Sequence, residues 1–258
     1  MSKKLITAGC SFTVNAKDGP AWPTYLKQSL EPYNYHDFIN NALSSAGNGL
    51  ISRKAIYQVT EELKTRPPED LLVGIIWSGS SRYDYRLSNT EILNFKRDNT
   101  HNGWVENPTS IALKGSKHWV VLNHHWADPK WHPEKKSNIE AETYYRYFFD
   151  EVGATIYTLE HMLRVQWFLK SKNIKYFCGF FKNEAINSSH FDHPEVSYLF
   201  NELDQTTFLP GTSMYNWVEK NSKSDFKLSP QHDHPRTFQH KEYAEQVILP
   251  FLKEKYYI

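Results

Sequence analysis

The chain has 258 residues, of which 40% are hydrophobic, enough for a sizeable core in one large domain or two small ones. Its 30 Lys and Arg nearly balance its 29 Asp and Glu, which argues against binding to nucleic acid or to an anionic membrane through a global field. With only two cysteines, Cys10 and Cys178, a disulfide framework is excluded and a reducing compartment is indicated.

The sequence shows no export or membrane signal. The N-terminal Met-Ser-Lys-Lys leads into a strand pattern and not into the apolar core of a signal peptide. No run approaches the roughly 20 apolar residues of a membrane span. We therefore expect a cytoplasmic protein.

Strand and helix patterns alternate along the chain. Strands are predicted over residues 3–8, 37–43, 71–78 and 174–181. Helices are predicted from Trp22 onward, over 48–66, within 140–172 and over 240–254. This alternation indicates a parallel sheet covered by helices. No repeat or low-complexity linker interrupts it, so one domain is predicted over residues 1–258.

Residues 86–139 do not fit the alternation. This segment contains Trp104, Trp119, Trp126 and Trp131, together with several prolines and histidines. We interpret it as an insertion over the carboxyl ends of the strands, where open α/β sheets bind ligands. The tryptophans form either a small core of the insertion or a platform on which sugar or acyl groups stack.

Ser11 follows the first predicted strand, in the stretch "KLITAGCSFT". A serine at such a bend is either a turn residue or a nucleophile, and a nucleophilic serine needs a base. His234, on the loop before the last predicted helix, is the best candidate base. Both loops are expected at the same edge of the sheet.

Four ordered blocks indicate a family. They are "GCSFT" with "WPTYL", then "NNALSSAGNGLISR", then "IIWSGSSR", and finally His234-Pro235 with His240 six residues later. Together they resemble the SGNH (GDSL-type) hydrolase superfamily, and more narrowly the SGNH-like proteins of phage and marine bacterial genomes. The resemblance covers nearly the whole chain. It implies a flavodoxin-like three-layer α/β/α fold and serine-dependent ester hydrolysis without a metal or other cofactor.

The resemblance also implies roles for single residues. Ser11 is the nucleophile, and His234 is the general base. The family has an acid two or three residues before the histidine, where this chain has His232 and Gln231. Asp233, adjacent to His234, is the remaining candidate for the catalytic acid.

Three groups are implied as donors to the oxyanion. One is the Ser11 backbone N–H, and the second comes from the second block, at either Gly47 or Ser45, with Asn48 beside them. The third comes from the third block, where the family's asparagine is missing. The candidates there are Ser80, Ser81 and Arg82.

Other reactive side chains have simpler interpretations. Cys10 is expected to point into the core, opposite to Ser11, and His240 to have a structural role. A further histidine set suggests either a metal site or polar loop surface, and we expect no metal because the spacings match no known motif. The set comprises His124, His125, His132, His232 and His234.

Two functions remain open at this stage. The first is a serine esterase that acts on a small-molecule or glycan ester, with an O-acetylated glycan as one candidate. The second is a catalytically degraded SGNH-fold protein that binds a ligand or, if phage-encoded, associates with the virion. In either case no nucleic acid or membrane partner is expected, and the oligomeric state is open.

Overall fold

The computed structural model describes most of the chain outside the predicted insertion. The described residues are 2–14, 16, 18–86, 119–122, 139–183, 188–211, 213–221 and 234–256. Within these ranges, no helix combines the length and the hydrophobicity needed to cross a bilayer.

The strands form two sheets. In chain order they are β1 (Lys3–Gly9), β2 (Tyr35–Asn40), β3 (Leu71–Trp77), β4 (Tyr83–Arg86), β5 (Trp119–Leu122) and β6 (Lys175–Phe180). The central sheet has the order β2-β1-β3-β6 and all its pairs are parallel. This order corresponds to the first four positions of the flavodoxin-like arrangement. Strands β4 and β5 form a separate antiparallel pair.

Helices lie between the strands of the central sheet. In chain order they are α1 (Ser11–Val14), α2 (Trp22–Leu30), α3 (Asn48–Glu62), α4 (Ile139–Tyr147), α5 (Glu151–Ser171), α6 (Pro194–Glu202), α7 (Met214–Asn221), α8 (Thr237–Tyr243) and α9 (Leu249–Tyr256). A π-helical stretch, Ala244–Ile248, joins α8 to α9. Short 3₁₀ turns span Glu31–Tyr33, Pro68–Asp70, Ser188–His190 and Gln205–Thr207.

The sheet separates two hydrophobic cores. Because side chains alternate along a strand, Val73 and Ile75 of β3 face one core, and Leu72 and Ile76 face the other. The first core also contains buried residues of α3, α5 and α6, and the second contains residues of α2 and the C-terminal helices. All seven residues of β3 are buried, as expected for a central parallel strand. The predicted three-layer α/β/α fold with a central parallel sheet is thereby confirmed.

Some boundaries differ from the sequence prediction. The second strand ends at Asn40, although the N–H groups of Asn41 and Leu43 still donate to carbonyls of β1. The helical pattern over 140–172 forms two helices, because the Asp150 side chain accepts the Gly153 N–H and caps α5. The sequence analysis did not predict α6 and α7, which have only nine and eight residues.

Most of the predicted insertion lies outside the described residues. Its described part is strand β5 and the two ends of the segment, at residues 86 and 139. Trp104, Trp126 and Trp131 are not among the described residues. The position of the insertion over the sheet, and the single-domain organisation, therefore stay predictions.

The packing of β3 against β6 predicts the effect of one substitution. A Cβ atom on Gly74 would lie 2.4 Å from Cζ of Phe177, so the Phe177 ring occupies the space of the missing side chain. We expect Gly74→Ala to lower the free energy of unfolding by about 1–3 kcal/mol, the usual cost of overpacking a core. Urea unfolding measures this loss.

Gly79→Ala is the matched control for this substitution. A Cβ atom at Gly79 would meet its nearest neighbour, a carbon of the Phe181 ring, at an ordinary contact distance of 3.6 Å. Equal losses for the two variants would contradict the packing argument.

Candidate active site

Ser11 lies at a sharp bend between β1 and α1. A Cβ atom on Gly9 would lie 2.2 Å from the Thr13 hydroxyl oxygen and 2.9 Å from the Ile76 carbonyl oxygen, so only glycine permits this bend. The Cys10 side chain is fully buried in the core beneath α2, whereas Ser11 is half-buried. The bend therefore presents the serine at the carboxyl edge of the sheet.

The structure brings Ser11 and His234 together. Ser11 Oγ lies 2.7 Å from His234 Nε2, although the two residues are 223 positions apart in the sequence. The His234 ring packs on Phe12 with 4.7 Å between the ring centroids, and Phe12 in turn contacts Phe181. A hydroxyl and an imidazole nitrogen at this distance form a hydrogen bond through which a proton can be transferred.

His240 supports the segment on which His234 lies. Its ring is buried, its Nδ1 accepts the Trp22 N–H at 3.2 Å, and the ring also hydrogen-bonds the Pro235 backbone. Burial lowers the pKa of His240 to about 3, so the ring is neutral at physiological pH and Nδ1 can act as an acceptor. His240 thus links α2 to the residue that follows His234.

The second block passes close to Ser11. The Leu43 N–H donates to the carbonyl of Gly9, which places residues 44–47 beside the bend. Ser45 has a left-handed backbone with φ of 63°, a conformation that glycine adopts most readily. The Gly47 N–H donates to Asp84 Oδ1 at 3.0 Å.

Asn48 connects the second block to the third. Its side chain is fully buried, and its amide oxygen accepts the Ser78 N–H at 2.8 Å. The amide nitrogen donates to the Ser78 carbonyl and to the Thr158 hydroxyl. These bonds engage both ends of the amide, so the Asn48 side chain holds the two blocks together.

The third block forms the turn after β3. Arg82 Nη1 donates to Ser78 Oγ at 2.8 Å, and its guanidinium lies over the Phe181 ring, 5.5 Å from the centroid. Ser80 and Ser81 lie in the turn itself and are half-buried. Since Phe181 contacts Phe12, this turn borders the aromatic side chains that support His234.

Asp84 is a site residue that the sequence analysis missed. Its buried carboxylate accepts the Gly47 N–H and, at 2.7 Å, the Leu50 N–H. Arg53 Nη2 lies 3.9 Å away. Desolvation raises the pKa of Asp84 to about 6. The backbone hydrogen bond from Leu50 and the charge of Arg53 lower this pKa, but desolvation outweighs them. An aspartate between two tyrosines gives no sequence signal that distinguishes it from a surface residue.

Several predicted site residues lie outside the described residues. They are Asp233, His232 and Gln231 near His234, and His124, His125 and His132 in the insertion. Of the histidine set considered for a metal, only His234 is described. In the described ranges, no three His, Cys, Asp or Glu side chains are grouped as metal ligands would be.

Comparisons with known proteins add two similar structures. No family model matches the sequence, and no curated protein matches it. The crystal structure of TesA is 11% identical over 98% of this chain and 99% of that chain, with a TM-score of 0.49. The crystal structure of a lipase/acylhydrolase from Enterococcus faecalis is 12% identical over 98% of this chain and 96% of that chain, with a TM-score of 0.33. At these values the similarity does not indicate an activity.

The buried carboxylate predicts a stability effect that depends on pH. Folded Asp84 keeps its proton up to about pH 6, whereas its ordinary pKa is 3.8, so the folded state binds more protons between these values. The carboxyl group therefore stabilises the fold most below pH 3.8 and less as the pH rises to 6. We expect Asp84→Asn to lower the free energy of unfolding by about 1–3 kcal/mol at pH 4.5, because one N–H loses its acceptor, and by less at pH 7.5.

Urea unfolding at the two pH values tests this expectation, with Asp204→Asn as a control that does not titrate between them. Burial alone would raise the pKa of Asp204, but the Thr206 hydroxyl and Lys170 lower it. Both pH values lie above the ordinary pKa of 3.8, so Asp204 is ionised throughout and the loss in Asp204→Asn should be nearly equal at the two pH values. An Asp84→Asn loss that is equal at both pH values would show that Asp84 does not titrate near pH 6.

Proposed function

We propose that this protein is a serine-dependent ester hydrolase of the SGNH type. The main support is the 2.7 Å contact between Ser11 Oγ and His234 Nε2 at the carboxyl edge of a parallel sheet. The four ordered sequence blocks give independent support, because the first and last of them contain these two residues. Asp233 remains our proposal for the catalytic acid.

The proposed mechanism uses a covalent acyl-enzyme. His234 Nε2 accepts the proton of the Ser11 hydroxyl while Oγ attacks the carbonyl carbon of the ester. The tetrahedral intermediate collapses, the bond to the alcohol breaks, and His234 gives its proton to the departing alcohol. A water molecule, deprotonated by His234, then attacks the acyl group and releases the acid and the free serine.

The hydrogen bonds of the second block support one choice of oxyanion donor. The Gly47 N–H already donates to Asp84, so it is not directed at a substrate. We therefore propose the N–H of Ser45, two residues beyond Leu43, whose own N–H bonds Gly9. The Ser11 N–H is the second proposed donor, since the first N–H groups of a helix lack an intrahelical acceptor. Each such donor is worth roughly 10²–10³ in rate.

The third block would supply the last donor. Arg82 Nη1 already donates to Ser78, and its guanidinium lies over the Phe181 ring. This arrangement favours Ser80 or Ser81 as the donor.

We propose a small acyl ester as the substrate. The tryptophan-rich segment 86–139 is the basis for proposing an O-acetylated glycan as one such ester.

The Ser11–His234 contact supports the hydrolase over the non-catalytic alternative. A binding or virion-associated protein that had lost catalysis would not need its histidine within hydrogen-bonding distance of the serine. The two histidine nitrogens would then be free to turn to solvent. In the structure the ring is instead packed on Phe12, with Nε2 at the serine hydroxyl.

Covalent labelling with a fluorophosphonate tests the proposal. Wild-type protein should gain one adduct, measured by intact mass, and Ser11→Ala should gain none. Ser197→Ala, on helix α6, is the matched control and should label like the wild type. His234→Ala should label about 10²–10⁴-fold more slowly, because it lacks the general base.

Hydrolysis of p-nitrophenyl acetate by the same variants gives a second readout. Circular dichroism must first show that each variant is folded. Folded wild-type protein that neither labels nor hydrolyses the ester would contradict the proposed function. An adduct that persists in Ser11→Ala would contradict the assigned nucleophile.

A further inference from the structure

The start of helix α3 is capped by a residue from another element. Its own N-cap residue, Gly47, offers no side chain, although the N–H groups at the start of a helix need acceptors. The carboxylate of Asp84, on strand β4, accepts the Gly47 N–H at 3.0 Å and the Leu50 N–H at 2.7 Å. The partial positive charge at a helix N-terminus also favours a carboxylate there. The contact with Asp84 therefore fixes where α3 begins.

Two glycines allow the carboxylate to approach the helix. A Cβ atom on Gly47 would lie 2.8 Å from Asp84 Oδ1, 2.7 Å from its Oδ2 and 2.9 Å from the Arg82 carbonyl oxygen. A Cβ atom on Gly49 would lie 2.3 Å from the Tyr157 hydroxyl oxygen and 3.1 Å from Asp84 Oδ2. A side chain at Gly47 would thus displace the carboxylate from both N–H groups.

Hydrogen bonds at both ends hold the segment 43–47. The Leu43 N–H donates to the carbonyl of the last residue of β1 at 3.0 Å. At the other end, the Gly47 N–H donates to Asp84. Between these two bonds, the Ser45 N–H has no acceptor among the described residues. The direction of this N–H therefore depends on the two ends of the segment.

We propose that Asp84 is a positioning residue, which holds Gly47 so that the Ser45 N–H is directed at the oxyanion formed at Ser11. This role rests on the proposed function and adds to it a residue that acts at a distance, since the fully buried Asp84 side chain has no exposed surface for a substrate. A donor stabilises an oxyanion only if it is aimed before the reaction. A displacement of about 1 Å, caused away from the reacting atoms, can cost roughly 10²-fold in rate.

Hydrolysis of two matched esters tests this role. In p-nitrophenyl thionoacetate, sulfur replaces the carbonyl oxygen of p-nitrophenyl acetate, and sulfur is a weak hydrogen-bond acceptor. With each kcat/KM divided by the rate of the uncatalysed reaction, the wild type should favour the oxygen ester by roughly 10²-fold. In Asp84→Asn, kcat/KM for the oxygen ester should fall roughly 10–10²-fold, whereas that for the thionoester should hardly change. A general loss of structure would instead lower both values equally.

A second variant breaks the same contact from the other side. Gly47→Ala should lower the preference for the oxygen ester as Asp84→Asn does, and it provides the test if Asp84→Asn does not fold. Asp204→Asn is the matched control, because Asp204 also accepts a backbone N–H, that of Thr206. Asp204 pairs with Lys170 in the last turn of α5, which leads to the start of β6 at the opposite edge of the sheet. This control should keep the wild-type preference.

Two outcomes would overturn the positioning role. The first is folded wild-type protein that hydrolyses neither ester, which would contradict the proposed function as well. The second is an active wild type that either lacks the preference for the oxygen ester or keeps it unchanged in folded Asp84→Asn and Gly47→Ala. In that case the proposed function would stand and only the role of Asp84 would be wrong.

Discussion

The carboxylate of Asp84 accepts two backbone N–H groups in the interior of the protein, and the loops of the candidate site depend on this contact. The Gly47 and Leu50 N–H groups belong to the start of α3, whereas Asp84 belongs to β4. The contact therefore joins the second sequence block to the strand that follows the third. Without an acceptor, two buried donors would lose hydrogen bonds, so each loop stabilises the other. Asn48 reinforces the same junction through its bonds to Ser78.

A similar arrangement fixes the histidine of the candidate pair. His240 is neutral because it is buried, so its Nδ1 can accept the Trp22 N–H while the ring also hydrogen-bonds Pro235. A charged imidazole would have no lone pair for that N–H. The Phe12 ring supports His234 from the side of Ser11. Buried groups thus hold both Ser11 and His234 in position, as a preorganised site requires.

The parallel sheet explains why Ser11 and a cavity at the end of β6 lie at one edge. Gly9 of β1 pairs with Ile76 of β3, which pairs with Gly179 of β6. The segments that follow these three strands therefore leave the sheet at the same edge. The segment after β1 presents Ser11, and the end of β6 lines a cavity with Phe191, Phe200 and Phe208. Phe181 contacts Phe12 and Arg82, whereas its neighbour Phe180 faces the cavity. These adjacent phenylalanines at the end of β6 therefore contact different parts of the fold.

The sequence by itself determined the fold class, the four central strands, and Ser11 and His234 as the candidate pair. Apolar runs and helical periodicity are local patterns, and the carboxyl-edge rule relates loops that are distant in the chain. Only the tertiary structure decided that Asp84 is buried, that Gly47 donates to it, and that Asn48 joins two loops. It also decided that Phe180, Phe191, Phe200 and Phe208 line one cavity. Burial and hydrogen-bond direction arise from packing between remote parts of the chain, and no local pattern of residues specifies them.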